Sequence, residues 1–382
     1  MPDFVSLHLS HNENPIKVWV LAPQLVTGDE NLDYYYDFSQ SIEEYTKTFS
    51  ELNLTWKWQP VTIDNYATVI SEIISEREHS KCLPVIFNIC DGDEVNGTPG
   101  ISVVKLLEEE GLIYTGADEF FYEITTSKIN MKRAFDLANV PTPEWRPIYS
   151  QSQNFCGIFE ALGTTVIIKP SVSGGSMGIG IKNVVTNIVD LKKQVGKLFS
   201  GYHGWNLLGD GLIAESYING QEYTALIVGS HSEPELATVY HPVERIFHPS
   251  LPEKEQFLSF DRLWEIYEEE PAMPSEDNFY EYSLPDPSVV EEIKKISWDA
   301  FVSVKGTGYT RVDIRRDRIT GKMYVLEVNA QCGISEDENY TSIGAILKFS
   351  GKTFTELVKE IIENAILKNK LNQQPAKLNE AI

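Results

Sequence analysis

The stretch "VIIKPSVSGGSMGIGIKNV", residues 166–184, decides how this chain reads. Its glycine and serine run, residues 173–178, is bounded by apolar β-formers, whereas a spacer would be bounded by polar, low-complexity sequence. Residues 165–169 predict a short buried strand ending in Lys169, and Ile179, Ile181 and Val184 predict a second one. The glycines then sit at the tip of a hairpin. Two familiar phosphate loops are absent, because there is no G-x-x-x-x-G-K-[ST] here and no G-x-G-x-x-G opening a helix. Turn chemistry alone allows an ordinary hairpin loop equally well, so the rest of the chain has to decide.

Working outward, the chain has 382 residues, enough for two or three domains with a substantial core. Hydrophobic residues at 42% fit a globular protein. A net charge of −24 argues against a nucleic-acid or anionic-membrane partner, which needs clustered Lys and Arg, but leaves room for a local cationic pocket. Apolar runs are strand-sized, so no membrane span is expected. The N-terminal "MPDFVSLHLSHNENP" lacks a basic start and an apolar core, and Cys82, Cys90, Cys156 and Cys332 lack C-x-x-C spacing. Both point to a cytoplasmic protein with reduced thiols.

Along residues 1–120, strands such as "IKVWVLAP", "TWKWQPV" and "LPVIFNI" alternate with helices at 34–53, 66–74 and 101–111. That order predicts an α/β domain with a doubly wound parallel sheet and a ligand crevice at the carboxyl ends of its strands, where "CDGDEVNG" falls. Residues 121–208 read as a small α+β unit: a helix at 126–138 stopped by "NVPTPEW", the glycine hairpin, and the helix "NIVDLKKQVGKLF". Residues 209–370 carry the strands "GLIAESYI", "EYTALIVG", "ATVYHPVERIF", "YTRVDIRRD" and "KMYVLEVNA". They also hold an acidic insertion at 248–287 and helices at 288–304 and 354–367. Residues 371–382 read as a frayed tail.

Chemistry-bearing residues recur through this order. Lys128 and Lys169 can balance phosphate charge, and the backbone N–H groups of Ser173, Gly174, Gly175, Ser176, Met177 and Gly178 can close over phosphates where side chains do not obstruct. Lys169 interrupts an apolar strand, which an ordinary surface lysine does not do. Glu215 and Glu222 flank "SYING". In "RVDI" and "LEVN", oxygen-bearing residues alternate with apolar ones, which places Glu327 and Asn329 on one face of a strand and Asp313 opposite Val312 and Ile314. Such oxygens suit hard Mg²⁺.

"FNICDGDEVNGTPG", "YTGAD", "TSKINMKRAFDLANVPTP", "IIKPSVSGGSMG", "AESYINGQEYT", "RVDI" and "LEVNAQCG", taken in order across residues 80–365, resemble the ATP-grasp family and, within it, the D-alanine–D-alanine ligases. The resemblance implies an ATP-grasp fold in which two α+β subdomains clamp ATP. It implies that Glu215, Ser216, Tyr217, Ile218 and Leu326 surround adenine, and that Glu222 binds the ribose. Asp313, Glu327 and Asn329 would hold Mg²⁺, with Mn²⁺ the alternative. Arg311 would stabilise an oxyanion and Ser176 would join a catalytic hydrogen-bond network. Asp91, Trp264, Gly333, Thr341 and Ser342 would face small amino-acid or dipeptide-like substrates. A homodimer is compatible with it.

Substrate features depart from the family. The glycine-serine loop whose glutamate holds the first substrate's ammonium is replaced by "APQLVTGDENLDYYYD", leaving Glu30, Asp29 and Asp33 as candidates. Asp91 stands where the family has histidine, and Gly175 falls at the family's serine with Ser176 next to it. Leu263 and Trp264 match a Lys-Tyr pair, with Arg262 and Lys254 the nearest cations. "SEDENY", residues 335–340, reads as a short insertion before Thr341. The expected activity is an ATP-dependent carboxylate–amine ligase forming an amide through an acyl phosphate. The alternatives are an ATP-grasp phosphotransferase and a non-catalytic nucleotide-binding regulatory module.

Overall fold

The computed structural model describes residues 15–25, 37–264, 270–271 and 278–373. Glu30, Asp29 and Asp33, candidates for the first substrate's ammonium, lie outside these residues. So do the tail beyond residue 373 and parts of the 248–287 insertion.

In the N-terminal unit, β1 (Ile16–Pro23), α1 (Ser39–Glu51), β2 (Thr55–Val61), α2 (Tyr66–His79), β3 (Leu83–Asn88), α3 (Ile101–Glu109) and β4 (Ile113–Tyr114) alternate as expected. The sheet order is β2-β1-β3-β4, with parallel pairing throughout. β1 is buried on both faces, which is why it reads as a nearly unbroken apolar run. Helices α4 (Glu119–Thr126) and α5 (Lys128–Ala138) follow. The single helix expected over 126–138 therefore starts two residues later, because Ser127 is extended and its hydroxyl caps Asn130 N. That puts Lys128 in the first helical turn.

The small lobe comprises β5 (Trp145–Ile148), α6 (Ile158–Leu162), β6 (Val166–Pro170), β7 (Val184–Val185), α7 (Ile188–Phe199) and β8 (Leu212–Ser216). Its antiparallel sheet runs β5-β8-β6-β7. The hairpin is real, since Val166 and Ile167 pair with Val185 and Val184. Its return strand begins only at Val184: Ile179 lies in the loop and Ile181 in a 3₁₀ turn. "GLIAESYI", grouped by sequence order with the C-terminal part, supplies β8 to this small sheet.

The C-terminal part contains β9 (Gly220–Ser230), β10 (Thr238–Val239), β11 (Val243–Phe247), α8 (Phe260–Trp264), β12 (Tyr280–Ser283), α9 (Val290–Ser303), β13 (Thr307–Asp317), β14 (Met323–Ala330), α10 (Ser342–Ser350) and α11 (Phe354–Gln373). Its antiparallel sheet runs β12-β11-β9-β13-β14, with β10 also on β9. The last helix continues six residues past its expected end at 367.

Packing shows which parts share a core. Ile86, Leu107 and Phe121 share a core with Phe301, Val312 and Val328, while Val20, Phe49 and Phe87 share another with Leu226, Tyr309 and Ile362. The N-terminal sheet and the C-terminal sheet are thus joined through both faces. The small lobe has its own core of Ile168, Met177, Leu191, Leu198 and Ala214, which also takes Phe260 from α8. It is tied to the C-terminal sheet through the short link between β8 and β9. Among the described residues no helix is long and apolar enough to cross a membrane, and all four cysteines are free.

Candidate active site

Lys128, Lys169 and Glu215 meet where the small lobe faces the C-terminal sheet, and a fourth residue, Lys132, joins them. Lys132 is fully buried, ion-pairs Glu215, and donates to Thr142 Oγ1 at 2.6 Å. Lys169 Nζ reaches the other oxygen of Glu215 at 2.5 Å. Burial alone would raise the Glu215 carboxyl; the two lysine charges overcome this and hold it at about 2. Burial pulls the Lys132 ammonium below its ordinary value, with Glu215 opposing. The sequence reading missed Lys132. The available signal was its position four residues after Lys128 in "SKINMK", which puts both lysines on one helix face.

Lys128, 7% exposed, donates to the Ser173 carbonyl at 3.1 Å and lies 3.5 Å from Glu327 Oε2. One side chain therefore ties the glycine loop to β14. Inside the loop, Met177 N bonds Gly174 O and Ile179 N bonds Ser176 O. Met177 plugs into the small-lobe core, and Gly174 and Gly175 stay exposed. Gly178 has φ +74, and a Cβ there would meet Leu207 at 2.4 Å, so a side chain would be strained and would have to displace Leu207.

β13 and β14 bring the three expected metal ligands together. Asp313 pairs with Glu327, and Arg311 with Asn329, in the strand register. Asn329 Nδ2 donates to Asp313 Oδ2 at 3.0 Å. Arg311 grips the same oxygen through Nε at 3.1 Å and Nη2 at 2.9 Å, and Thr224 Oγ1 donates to Oδ1 at 3.0 Å. Burial and the Glu327 charge raise the Asp313 carboxyl, with Arg311 opposing. Burial would raise Glu327 as well, but Lys128, Arg311 and Lys169 hold it low. A bulge after Asp313 leaves Leu326 without a strand partner, between Val325 and Glu327.

The β8–β9 link carries the expected adenine residues. Ser216 N bonds Glu144 O, Tyr217 N bonds Thr165 O, and Ile218 O accepts from Arg315. Glu222, 6% exposed, is clasped by Arg245 and by Arg315 at 3.2 Å. This arginine pair was not anticipated, and it holds the glutamate expected at the ribose.

The insertion covers the glycine loop. Trp264 Nε1 donates to Gly175 O at 2.9 Å and Phe260 N to Ile179 O at 2.8 Å. Glu270 accepts from Ile181 N at 2.5 Å and from Ser259 at 2.6 Å. Leu263 turns away and packs on the Phe247, Leu251, Phe279 and Tyr280 cluster. The Arg262 side chain, 6% exposed, pairs with Glu255 at 2.7 Å and lies over Phe279; its Nε and Nη1 are buried with no partner among the described residues. Lys254 is exposed on a 3₁₀ turn.

The remaining substrate candidates separate. Within "CDGDEVNG", Glu94 is spent capping α3 through Gly100 N and Ser102 N, and Asp93 accepts from Val95 N and Asn96 N. Asp91 is left exposed, yet enough protein surrounds it to push its carboxyl up to about 6. Thr341 caps α10, accepting from Gly344 N at 3.0 Å and donating to Asp337 O at 2.7 Å. Ser342 is buried and Gly333 is exposed. Among the described residues no hydrogen bond or ion pair links Asp91, Gly333, Thr341 or Ser342 to the lysine cluster or to Asp313, Glu327 and Asn329.

Comparison with known proteins matches this architecture. The family model for the D-ala D-ala ligase C-terminus covers residues 135–363. D-alanine–D-alanine ligase B of Xanthomonas campestris is 26% identical over 283 residues, 74% of this chain and 78% of that protein. The Neisseria gonorrhoeae D-alanine–D-alanine ligase is 25% identical over 305 residues, 79% of this chain and 87% of that protein. Among solved structures, the Bacillus anthracis D-alanine–D-alanine ligase complexed with ATP shares the fold with a TM-score of 0.64 at 18% identity, covering 94% of this chain and 99% of that one. The Coxiella burnetii ligase gives 0.60 at 16% identity, covering 94% and 97%. The chain belongs to the D-alanine–D-alanine ligase family, ATP-dependent ligases that build an amide bond on the ATP-grasp fold.

Proposed function

We propose that this protein joins a carboxylic substrate to an amino-acid-like amine through an acyl phosphate, with the cleft residues in the roles below. The observation that carries the reading is the gathering of Lys128, Lys132 and Lys169 around Glu215 and Glu327, beside the Asp313–Asn329 pair. That arrangement sets fixed positive charge against a patch of oxygen donors, which suits a transferring phosphoryl group.

An oxygen of the substrate carboxylate attacks the γ-phosphorus of ATP, the bond to the bridging oxygen breaks, and ADP leaves. The amine nitrogen then attacks the acyl carbon, loses a proton, and phosphate departs with the C–O bonding pair. Lys128 and Lys169 offset charge on the transferring group. Arg311 has Nε and Nη2 committed to Asp313, so Nη1 is the donor left for the tetrahedral oxyanion. Trp264 and Phe260 hold the lid on the glycine loop and keep water from the acyl phosphate. Asp313, Glu327 and Asn329 fit Mg²⁺: their donors are hard oxygens, and a buried carboxylate, Asp313, faces a half-buried one, Glu327, across paired strands. Bound there, the ion would polarise phosphate oxygens.

The departures at Asp91, Leu263 and residues 335–340 support a substrate pair other than two D-alanines. A matrix of amino-acid pairs, scored by phosphate release and product mass, tests the reading. Release that needs both partners, with a product one water lighter than their sum, supports it. ADP formation with a phosphorylated product and no need for an amine indicates a phosphotransferase, and nucleotide binding without ADP formation indicates a regulatory module.

A further inference from the structure

Three strands of the C-terminal sheet set a carboxylate between two guanidinium groups. In the register of β11, β9 and β13, Arg245, Glu222 and Arg315 stand side by side. Arg245 Nη1 donates to Glu222 Oε1, and Arg315 Nη2 lies 3.2 Å from Oε2. All three side chains are buried. Arg245 Nη2 also donates to the Tyr282 hydroxyl at 3.0 Å. Arg315 Nη1 donates to the Ile218 carbonyl at 3.1 Å, its Nη2 donates to the Gln256 carbonyl, and its guanidinium lies 5.6 Å from the centre of the Tyr217 ring. One arginine therefore gathers the β8–β9 link, Glu222 and the root of the insertion.

Stability does not account for this arrangement. One carboxylate is shared by two buried cations, and the Nε of each arginine is buried with no hydrogen-bond partner among the described residues. A buried ion pair is often no better than apolar packing of the same volume, and unmatched donors make it worse. Position is more informative. By alternation along β9 and β13, Glu222 and Arg315 share a sheet face with Thr224 and Asp313, which bond each other at 3.0 Å. Two residues of strand, about 7 Å, separate the two rows. Along β13 the order is Asp313, Arg315 and then Asp317, which pairs with Gly220 at the end of the β8–β9 link. Residues expected at the metal-bound phosphates, the sugar and the adenine thus follow one another as the parts of ATP do.

An ionised carboxylate accepts at about four sites, shared between its two oxygens. Each guanidinium occupies one, which leaves room on either oxygen for one of the two adjacent hydroxyls of a ribose. Guanidinium groups at both oxygens also stop the carboxylate from rotating about its last bond. We propose that Arg245 and Arg315 are positioning residues that set Glu222 to read the sugar hydroxyls of ATP, so that this clamp selects a ribonucleotide over its deoxy counterparts. The proposal rests on ATP as the nucleotide of the cleft and on Glu222 as its sugar contact.

Calorimetry on the full chain titrates Mg·ATP, Mg·2′-deoxy-ATP and Mg·3′-deoxy-ATP in the absence of amino acids. Wild type should bind ATP at least about tenfold more tightly than either deoxynucleotide, as loss of a hydrogen bond to a charged acceptor implies. In Arg245→Met and Arg315→Met that preference should collapse toward one. A merely structural role gives a different result: unfolding removes sites for all three nucleotides alike and leaves the preference intact. Melting without nucleotide checks that each variant is folded. Where a methionine variant is not, Arg245→Lys or Arg315→Lys takes its place; lysine keeps the charge but not the planar fork, so the preference should still fall. Folded variants that keep the wild-type preference overturn the proposal and leave the nucleotide site standing. Equal binding of all three nucleotides to wild type also overturns it, since there is then no sugar contact to aim. If wild type binds no nucleotide, the ATP reading itself fails, and the proposal with it.

Discussion

Replacing Glu215 with glutamine keeps the shape of the side chain and removes the charge that two lysines share. Lys132 is fully buried and Lys169 is 13% exposed, so the two respond differently. Lys169 can turn toward solvent. Lys132 cannot, and it would face a neutral amide in place of a carboxylate. Removing one partner of a buried pair costs about 3–5 kcal/mol. With only one lysine stranded, and that lysine able to shed its proton, the lower end of about 3 kcal/mol is expected for Glu215→Gln. Adding Lys132→Met removes the stranded charge, so the double variant should recover about 2 kcal/mol relative to additivity. Urea unfolding at pH 7 measures both quantities. The pH dependence has a fixed sign. Since the lysines hold the carboxyl at about 2 against an ordinary 4.5, its contribution is complete above 4.5 and is lost as pH falls toward about 2. The gap between wild type and Glu215→Gln should shrink over that window. A Glu215→Gln variant within about 1 kcal/mol of wild type, or a strictly additive double variant, would refute the reasoning.

Three further outcomes follow from the same cleft. Mg·ATP should raise the melting temperature by binding the native state, and Lys169→Ala should remove most of that rise; no shift at millimolar Mg·ATP would contradict a nucleotide site here. Glu327→Gln, nearly isosteric, should leave the melting temperature within a few degrees (about 1 kcal/mol). The same variant should cut turnover at limiting Mg²⁺ at least about 100-fold, or ~2.7 kcal/mol in the barrier; wild-type turnover would show that Glu327 is not a ligand. Free D-alanine should be a poor second substrate, and Arg262→Ala should raise KM for the best second substrate about tenfold, because Arg262 keeps two buried donors without a hydrogen-bond partner among the described residues. Efficient synthesis from D-alanine alone, untouched by Arg262→Ala, would show that the lid does not set substrate choice.

Residues that break a local pattern are legible in the sequence. Lys169 stands out in an apolar strand, and Asp313, Glu327 and Asn329 stand out by alternation, so residue order alone locates both clusters. Lys132 is not legible, because inside an amphipathic helix a lysine normally marks the solvated face, and only the lobe packed above it turns that face inward. Arg245 and Arg315 are hidden for the same reason: their partner, Glu222, sits on a neighbouring strand whose pairing is long-range. Membership of β8 cannot be read from order along the chain. A strand of five apolar-leaning residues pairs equally well with the sheet before it or the sheet after it, and the choice is made by register with β6. Conversely, "CDGDEVNG" looks uniformly acidic, and only the backbone N–H groups of α3 and of its own turn distinguish the structural Glu94 and Asp93 from the available Asp91.

The contacts between the insertion and the glycine loop have a kinetic consequence. Trp264, Phe260 and Glu270 each bond to a backbone group of the loop, at Gly175, Ile179 and Ile181. Cover and cradle are therefore fastened along a seam, and neither can loosen while the other stays fixed. If the cleft works as proposed, whatever leaves it would have to wait for that seam to part, and the opening rate would set a ceiling on turnover that no gain in chemistry could lift. The signature is a burst of enzyme-bound ADP followed by a slower steady state. A cut in the seam, such as Trp264→Phe, which keeps an aromatic ring but removes the indole donor, should raise the steady-state rate while increasing futile hydrolysis of ATP.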